Sequence, residues 1–293
     1  YFYFKNDGMQ NPSVLYVQES LEAEPKVLLD PNKFSDDGTV ALANYDISKD
    51  GKYLAYGISR GGSDWNEIMV MEVENGNKLD DHLKWIKFSG ISWKNDGFYY
   101  SRYDEPKGSE LSGKNEFHKV FYHKIGTPQS EDKLVFENKN FPLRNYYAST
   151  TDDERFLILY ESDTTKGNAL HYMDLSAKNP QFATIVADFD NEHVVIDNID
   201  GNLLVRTNFN APKYRLVLID PANPAKENWK IILPEEQEVL EGITLIGGKI
   251  VAEYMKDACS KAYIYDMEGK KLDELNLPGI GTQIGRASCR ERV

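Results

Sequence analysis

Three sets of residues in this chain are of types that could do chemistry. Ser63, in Gly61-Gly62-Ser63-Asp64-Trp65, is a candidate nucleophile. A catalytic serine of the hydrolase type sits on a Gly-x-Ser-x-Gly elbow between a strand and a helix, with a base beside it. The second glycine is missing here, so the segment reads as a hairpin turn. The histidines are His82, His118, His123, His171 and His193. His118 and His123 are five residues apart, but no neighbouring Cys or second His pair completes a zinc-type ligand set. No metal and no cofactor is therefore expected. The third set is the adjacent acidic pairs, Asp36-Asp37, Asp80-Asp81 and Asp152-Asp153. Neighbours on a strand point to opposite faces, and carboxylate-pair hydrolysis needs groups converging from different strands. These pairs read as solvated turn residues. Phosphate-binding glycine motifs, Gly-x-Gly-x-x-Gly after a strand or Gly-x-x-x-x-Gly-Lys-Ser/Thr, do not occur.

Residues without visible chemistry of their own need elements to position them, and the composition says of what kind. The chain has 293 residues, 41% hydrophobic and 12% aromatic, enough for a substantial core. Its net charge of −13 argues against nucleic acid as a partner, since phosphate binding needs basic patches. No apolar run has the length of a membrane span, so no membrane partner is expected. The final ten residues, Ile284 to Val293, resemble the translation of a common short-read sequencing adapter. They carry a net +2, leaving −15 for the rest. Residues 1–283 are accordingly expected to be the native part and 284–293 a non-native tail that makes few native contacts. With Cys289 in that tail, Cys259 stands alone and no intrachain disulfide is expected. The opening Tyr1-Phe2-Tyr3-Phe4 reads as the inside of a strand. The compartment stays open between cytoplasm and periplasm.

A repeat organises the chain. Turn-forming pairs recur at Asp7-Gly8, Asp50-Gly51, Asp96-Gly97, Asp153-Glu154 (degenerate), Asp200-Gly201 and Gly247-Gly248, with spacings of 43, 46, 57, 47 and 47. Such pairs suit two-residue hairpins because glycine takes positive φ at little cost. Most are followed by a β-rich run, as at 52–56, 98–100, 156–160, 203–205 and 249–252. A second run follows at 14–17, 68–71, 120–123, 170–174, 216–220 and 263–266; the last three end in Asp174, Asp220 and Asp266, 46 apart each time. A closing run is seen at 26–29, 133–136 and 229–233. Adding the run before each turn gives about four strands per unit of roughly 40–50 residues, the period of a propeller blade. No 3.6-residue periodicity interrupts it; 235–240 could form at most a short helical turn. The longest unit holds a loop-like insertion at 106–115. The fold class expected is all-β: a β-propeller of the seven-bladed type, incomplete, with about six blades of four antiparallel strands.

Several segments match a known family. Asn6-Asp7-Gly8-Met9-Gln10-Asn11-Pro12-Ser13-Val14-Leu15-Tyr16 resembles the start of the propeller domain in prolyl oligopeptidases. Leu29-Asp30-Pro31-Asn32, Ser35-Asp36-Asp37-Gly38-Thr39-Val40-Ala41-Leu42 and Gly62-Ser63-Asp64-Trp65 are similar too, as are Thr127 to Asp132 and Ala211 to Leu216. The resemblance runs from Tyr1 to about Gly281.

The resemblance implies a two-domain serine endopeptidase that cleaves short proline-containing peptides after proline. In that family a seven-bladed propeller covers the active site, and an α/β-hydrolase domain supplies a Ser-Asp-His triad acting through an acyl-enzyme. It implies a monomer whose partners are its substrates and that second domain. On this reading the chain holds six blade turns, the last blade partial, and no catalytic residue. Two positions carry over as substrate-pocket residues. Phe88, in Trp85-Ile86-Lys87-Phe88-Ser89, matches a phenylalanine facing the pocket; its ordinary alternative is strand core. Thr164 (or Thr165, allowing one gap) falls where some members place a cysteine, so any thiol sensitivity tied to that position should be lost. Asn145 stands where the family pocket has methionine. The alternative function is a stand-alone propeller acting as a binding scaffold without catalysis. The segment following Gln283 in the intact gene separates the two.

Overall fold

The computed structural model describes residues 1–108 and 113–276. The described residues form six antiparallel sheets, and within each sheet the strands pair in chain order. The first has three strands, β1 (Phe2–Lys5), β2 (Val14–Val17) and β3 (Lys26–Leu29). The other five have four. They are β4 (Val40–Ile47), β5 (Tyr53–Arg60), β6 (Asn66–Glu72) and β7 (Lys78–Ile86); then β8 (Ser92–Lys94), β9 (Gly97–Arg102), β10 (Lys119–Lys124) and β11 (Lys133–Phe136); then β12 (Asn145–Thr150), β13 (Phe156–Ser162), β14 (Ala169–Asp174) and β15 (Ala183–Val186). The fifth holds β16 (His193–Ile199), β17 (Asn202–Thr207), β18 (Arg215–Ile219) and β19 (Lys230–Leu233). The sixth holds β20 (Val239–Ile246), β21 (Lys249–Lys256), β22 (Cys259–Tyr265) and β23 (Lys271–Leu275). The expected blade of four strands is therefore present five times. The expectation of a partial last blade is corrected: the sixth sheet has all four strands, and the first is the three-stranded one.

The described residues divide into two compact units, Tyr1–Ser149 and residues 150–276. In the first, Leu15 and Leu28 pack with Leu54 and Tyr56, and a second core joins Ile68 and Leu83 to Trp93, Phe98 and Tyr100. In the second, Phe156 and Leu170 pack with Val205 and Trp229, and Leu216 packs with Ile250 and Tyr254. Each core lies between consecutive sheets. In β9, β13 and β17 successive residues are buried, so both faces are covered, which explains why these strands read as continuous apolar runs rather than alternating ones. The last strand of a sheet is an edge, and edges need protection from pairing with other chains. Lys26, Lys78, Lys133, Lys230 and Lys271 each open such a strand.

Turn chemistry accounts for the repeat. Asp200-Gly201 and Gly247-Gly248 are two-residue hairpins with positive φ at both positions, 51° and 85°, then 54° and 68°. The longer turns at Asp50-Gly51 and Asp153-Glu154 share one hydrogen-bond pattern. Ser48 Oγ donates to Asp50 (2.7 Å) and accepts from the Tyr53 amide; Thr151 does the same with Asp153 (2.7 Å) and Phe156. The periodic Asp174, Asp220 and Asp266 each accept the amide two residues on, at 2.9, 2.9 and 3.1 Å, capping the next turn. Two expectations need correction. The turn near Asp96 is Asn95-Asp96, with Asn95 at φ 52°, and Gly97 begins β9. Gly97 is required there for space, because a Cβ would collide with the His123 carbonyl and the Tyr122 ring. Asp7-Gly8 does join β1 to β2, but in the connection that the other sheets place between their second and third strands. The equivalence follows from β2–β3, which carries the same register shift at Leu15 as β10–β11 at Val120, β14–β15 at Leu170 and β18–β19 at Leu216. No helical turn forms at 235–240; short 3₁₀ turns lie instead at Pro31–Lys33, Gln129–Glu131 and Lys226–Asn228. No helix among the described residues is long and apolar enough to cross a membrane. Cys259 is a free thiol. The segment 284–293 and its boundary at Gln283 lie outside the described residues.

Gly248 offers a direct check of the turn assignment. A Cβ there would meet nothing within 4 Å, so Gly248→Ala tests backbone conformation alone. At φ 68° an L-residue is expected to cost about 1–2 kcal/mol in urea unfolding. A gain in stability would mean that the glycine is not held in the left-handed region.

Candidate functional site

Of the site residues singled out in the sequence, Phe88 and Thr164 fall in connections between strands, and Asn145 opens β12. Phe88 lies between β7 and β8, in the first unit. Its ring is 57% exposed, so it is not strand core. Its backbone is left-handed, with φ 53°, a conformation that is costly for a bulky residue. The chain on either side is tied down. His118 Nε2–H donates to the Lys87 carbonyl (2.9 Å), and Asn44 Nδ2 donates to the Ser89 carbonyl (2.8 Å). The Ser101 amide donates to Ser89 Oγ (2.7 Å). The fold therefore holds its neighbours and lifts Phe88 into solvent.

Around Phe88 the first unit presents an aromatic cluster built from three connections and the end of β7. Trp65, from the β5–β6 turn, meets Trp85 edge-on at 5.9 Å and Tyr103 edge-on at 6.0 Å. Tyr103 packs on His118 at 4.5 Å. Its hydroxyl donates to Asn145 Oδ1 (2.6 Å), so Asn145 is joined to this cluster through a polar bond. Trp85, like Phe88, is left-handed, with φ 63°. His118 is buried and its Nδ1 accepts the Tyr146 amide (2.9 Å). Burial pulls its pKa down to about 4, so the ring is neutral and acts as a strut. Burial likewise raises the Tyr103 hydroxyl to about 12, which keeps it a hydrogen-bond donor at neutral pH.

Lys87 completes the cluster. Its side chain is only 14% exposed, while its ion-pair partner Asp64 (3.2 Å) is 76% exposed. The ammonium lies 5.3 Å from the Trp65 ring centroid and 5.5 Å from that of Phe88. Lys87, Trp65 and Tyr103 escaped sequence reasoning. The motif containing Trp65 and the segment containing Phe88 were each visible, but nothing in the sequence placed them side by side.

The other candidate positions sit in turns or in the core. Thr164 lies in the exposed β13–β14 connection of the second unit, where its hydroxyl accepts the Lys166 amide (3.3 Å); Thr165 is exposed beside it. Ser63 is part of a turn, its Oγ accepting the Trp65 amide (3.1 Å) after Gly61 and Gly62 at φ 58° and 70°. His123 is wholly buried between two carboxylates, at 2.8 Å from Asp81 and 2.7 Å from Asp132. No group of metal-ligating side chains is found among the described residues.

Comparison with known proteins adds the following. Residues 1–291 match the family described as the prolyl oligopeptidase N-terminal β-propeller domain. The chain is 43% identical over 286 residues to a prolyl endopeptidase of Elizabethkingia miricola and 45% identical over 288 residues to one of Elizabethkingia meningoseptica, spanning 97% of this chain in each case. It spans 40% of the length of both relatives. Among solved structures, one from a study of two prolyl endopeptidases and the role of inter-domain dynamics superposes with a TM-score of 0.82 at 32% identity, covering 96% of this chain and 40% of that one. Prolyl oligopeptidase B from Galerina marginata, bound to a 25-mer macrocyclization substrate, gives 0.83 at 28% identity, with 96% and 43% covered.

Proposed function

Because the chain belongs to the family of prolyl oligopeptidase N-terminal β-propeller domains, we propose that it is the substrate-gating part of a serine endopeptidase that cleaves short peptides after proline. The Ser-Asp-His triad belongs to a second domain in this reading, and the propeller supplies apolar contact and size selection. Phe88 is the first unit's contribution to substrate contact, and Thr164, in the second unit, is a separate candidate that stands where some family members place a cysteine. The observation that supports this most is the treatment of Phe88. A fold that ties both neighbours, yet holds a bulky ring in a strained and exposed position, stores strain of the kind found at ligand sites. The relatives' names support the peptide chemistry.

The test compares two polypeptides on a Gly-Pro-linked chromogenic peptide. The product of the intact gene should turn it over and be silenced by a serine-directed reagent. The 293-residue chain alone should not. Turnover by the chain alone, sensitive to that reagent, would overturn the division of labour. An inert, correctly folded full-length protein would favour a binding scaffold.

A further inference from the structure

We propose that Lys87 is a carboxylate-binding subsite beside Phe88, so that the protein favours peptides carrying an acidic side chain at the position lying over that ring. This rests on the reading of Phe88 as a pocket residue. Three features of Lys87 carry it. Its side chain is only 14% exposed, and its ammonium lies over the rings of Trp65 and Phe88. Its backbone is fixed by the bond from His118 to its carbonyl. Among the described residues its carboxylate partner is Asp64, which is 76% exposed and reached from the neighbouring turn.

The two halves of this ion pair differ in how replaceable they are. An exposed carboxylate on an ammonium contributes little, about 0–1 kcal/mol, because water solvates it equally well once released. The ammonium, held against two rings, is partly desolvated and benefits from any carboxylate that reaches it. A substrate carboxylate resting against Phe88 can take the place of Asp64 while its own chain buries apolar surface on the ring. Asp64 then acts as an internal competitor that fills the subsite when no acidic group is bound. The charge of the whole chain sharpens the effect. At −13 it repels acidic peptides at long range, so a fixed cation at the pocket selects where such a peptide settles.

The experiment uses the full-length enzyme and matched peptides with Glu or Gln two, three or four residues before the proline. The readout is the Glu/Gln ratio of kcat/KM at each position, at low and high salt. At one position the ratio should exceed about fivefold at low salt, fall toward unity in Lys87→Met and rise in Asp64→Asn, as expected when a charge-assisted hydrogen bond is lost or freed of its competitor. High salt should blunt all three differences. Lys87→Arg, which keeps the charge, should retain the preference, and Asp64→Asn supplies the test should Lys87→Met fail to fold. If Phe88→Ala weakens every peptide but neither Lys87→Met nor Asp64→Asn moves the ratio at any position, the subsite is wrong while the pocket stands. If Phe88→Ala leaves every peptide unaffected, the pocket reading fails and the subsite with it.

Discussion

Replacing His123 with alanine is expected to cost about 3–5 kcal/mol of unfolding free energy, the loss seen when one partner of a buried ion pair is removed. Both ring nitrogens lie against carboxylate oxygens, Nδ1 at 2.7 Å from Asp132 and Nε2 at 2.8 Å from Asp81. The Tyr100 hydroxyl donates to the other Asp132 oxygen (2.5 Å), and the Gly126 amide donates to Asp81 (2.7 Å). Asp81 belongs to β7 of the second sheet and His123 to β10 of the third, so the group rivets the two together. Burial works against charge on the ring, but the bonds to Asp132 and Asp81 outweigh it and push the pKa up to about 9. Burial raises Asp81 too, yet its bonds to His123 and Gly126 leave it below the ordinary carboxylate range.

The sign of the pH dependence follows. A histidine raised on folding stabilises fully below its unfolded value of 6.5 and loses that contribution as pH climbs through about 9. Asp81, depressed on folding, contributes above its unfolded 3.8 and loses this as pH falls. Urea unfolding from pH 5 to 10 should show wild-type stability falling at the alkaline end. His123→Ala should show a flatter alkaline limb, because the group that titrates there is gone. A variant that loses under about 1 kcal/mol, with a profile parallel to wild type, would mean that the ring is not a charged rivet.

The second large effect falls on binding rather than folding. On the proposed function, Phe88→Ala in the full-length protein should weaken peptide binding by about 1–3 kcal/mol, the scale of losing a buried aromatic contact. The same substitution should leave stability nearly unchanged, since the ring is 57% exposed and its removal relieves a left-handed phenylalanine. A core phenylalanine would behave in the opposite way, costing about 3–5 kcal/mol of stability. Peptide kinetics and a melting curve on one variant separate the two. A large stability loss with unchanged kinetics would remove Phe88 from the pocket.

The strand repeat and its turns were legible in the sequence because the information is local. A two-residue hairpin needs positive φ at adjacent positions, and Gly247-Gly248 or Asp200-Gly201 declares that within four residues. The periodic aspartates at 174, 220 and 266 were visible for the same reason, each capping a turn two residues away. Local signals also set the limit. Asp257-Ala258 makes an equally tight hairpin at φ 50° and 59° with no glycine to announce it, and Asp7-Gly8 matched the repeat while occupying a different connection. The site belongs to the tertiary structure. Asp81 and His123 are 42 residues apart, Tyr103 and Asn145 likewise 42, and each pair meets only because consecutive sheets stack. Phe88 shows both sides of this division. Its residue type and its segment stood in the sequence, but its exposure did not, because a strand-like Trp-Ile-Lys-Phe-Ser run alternates its faces. Tethers from His118 and Asn44 hold the chain on either side of it, and those tethers come from the β9–β10 connection and from β4.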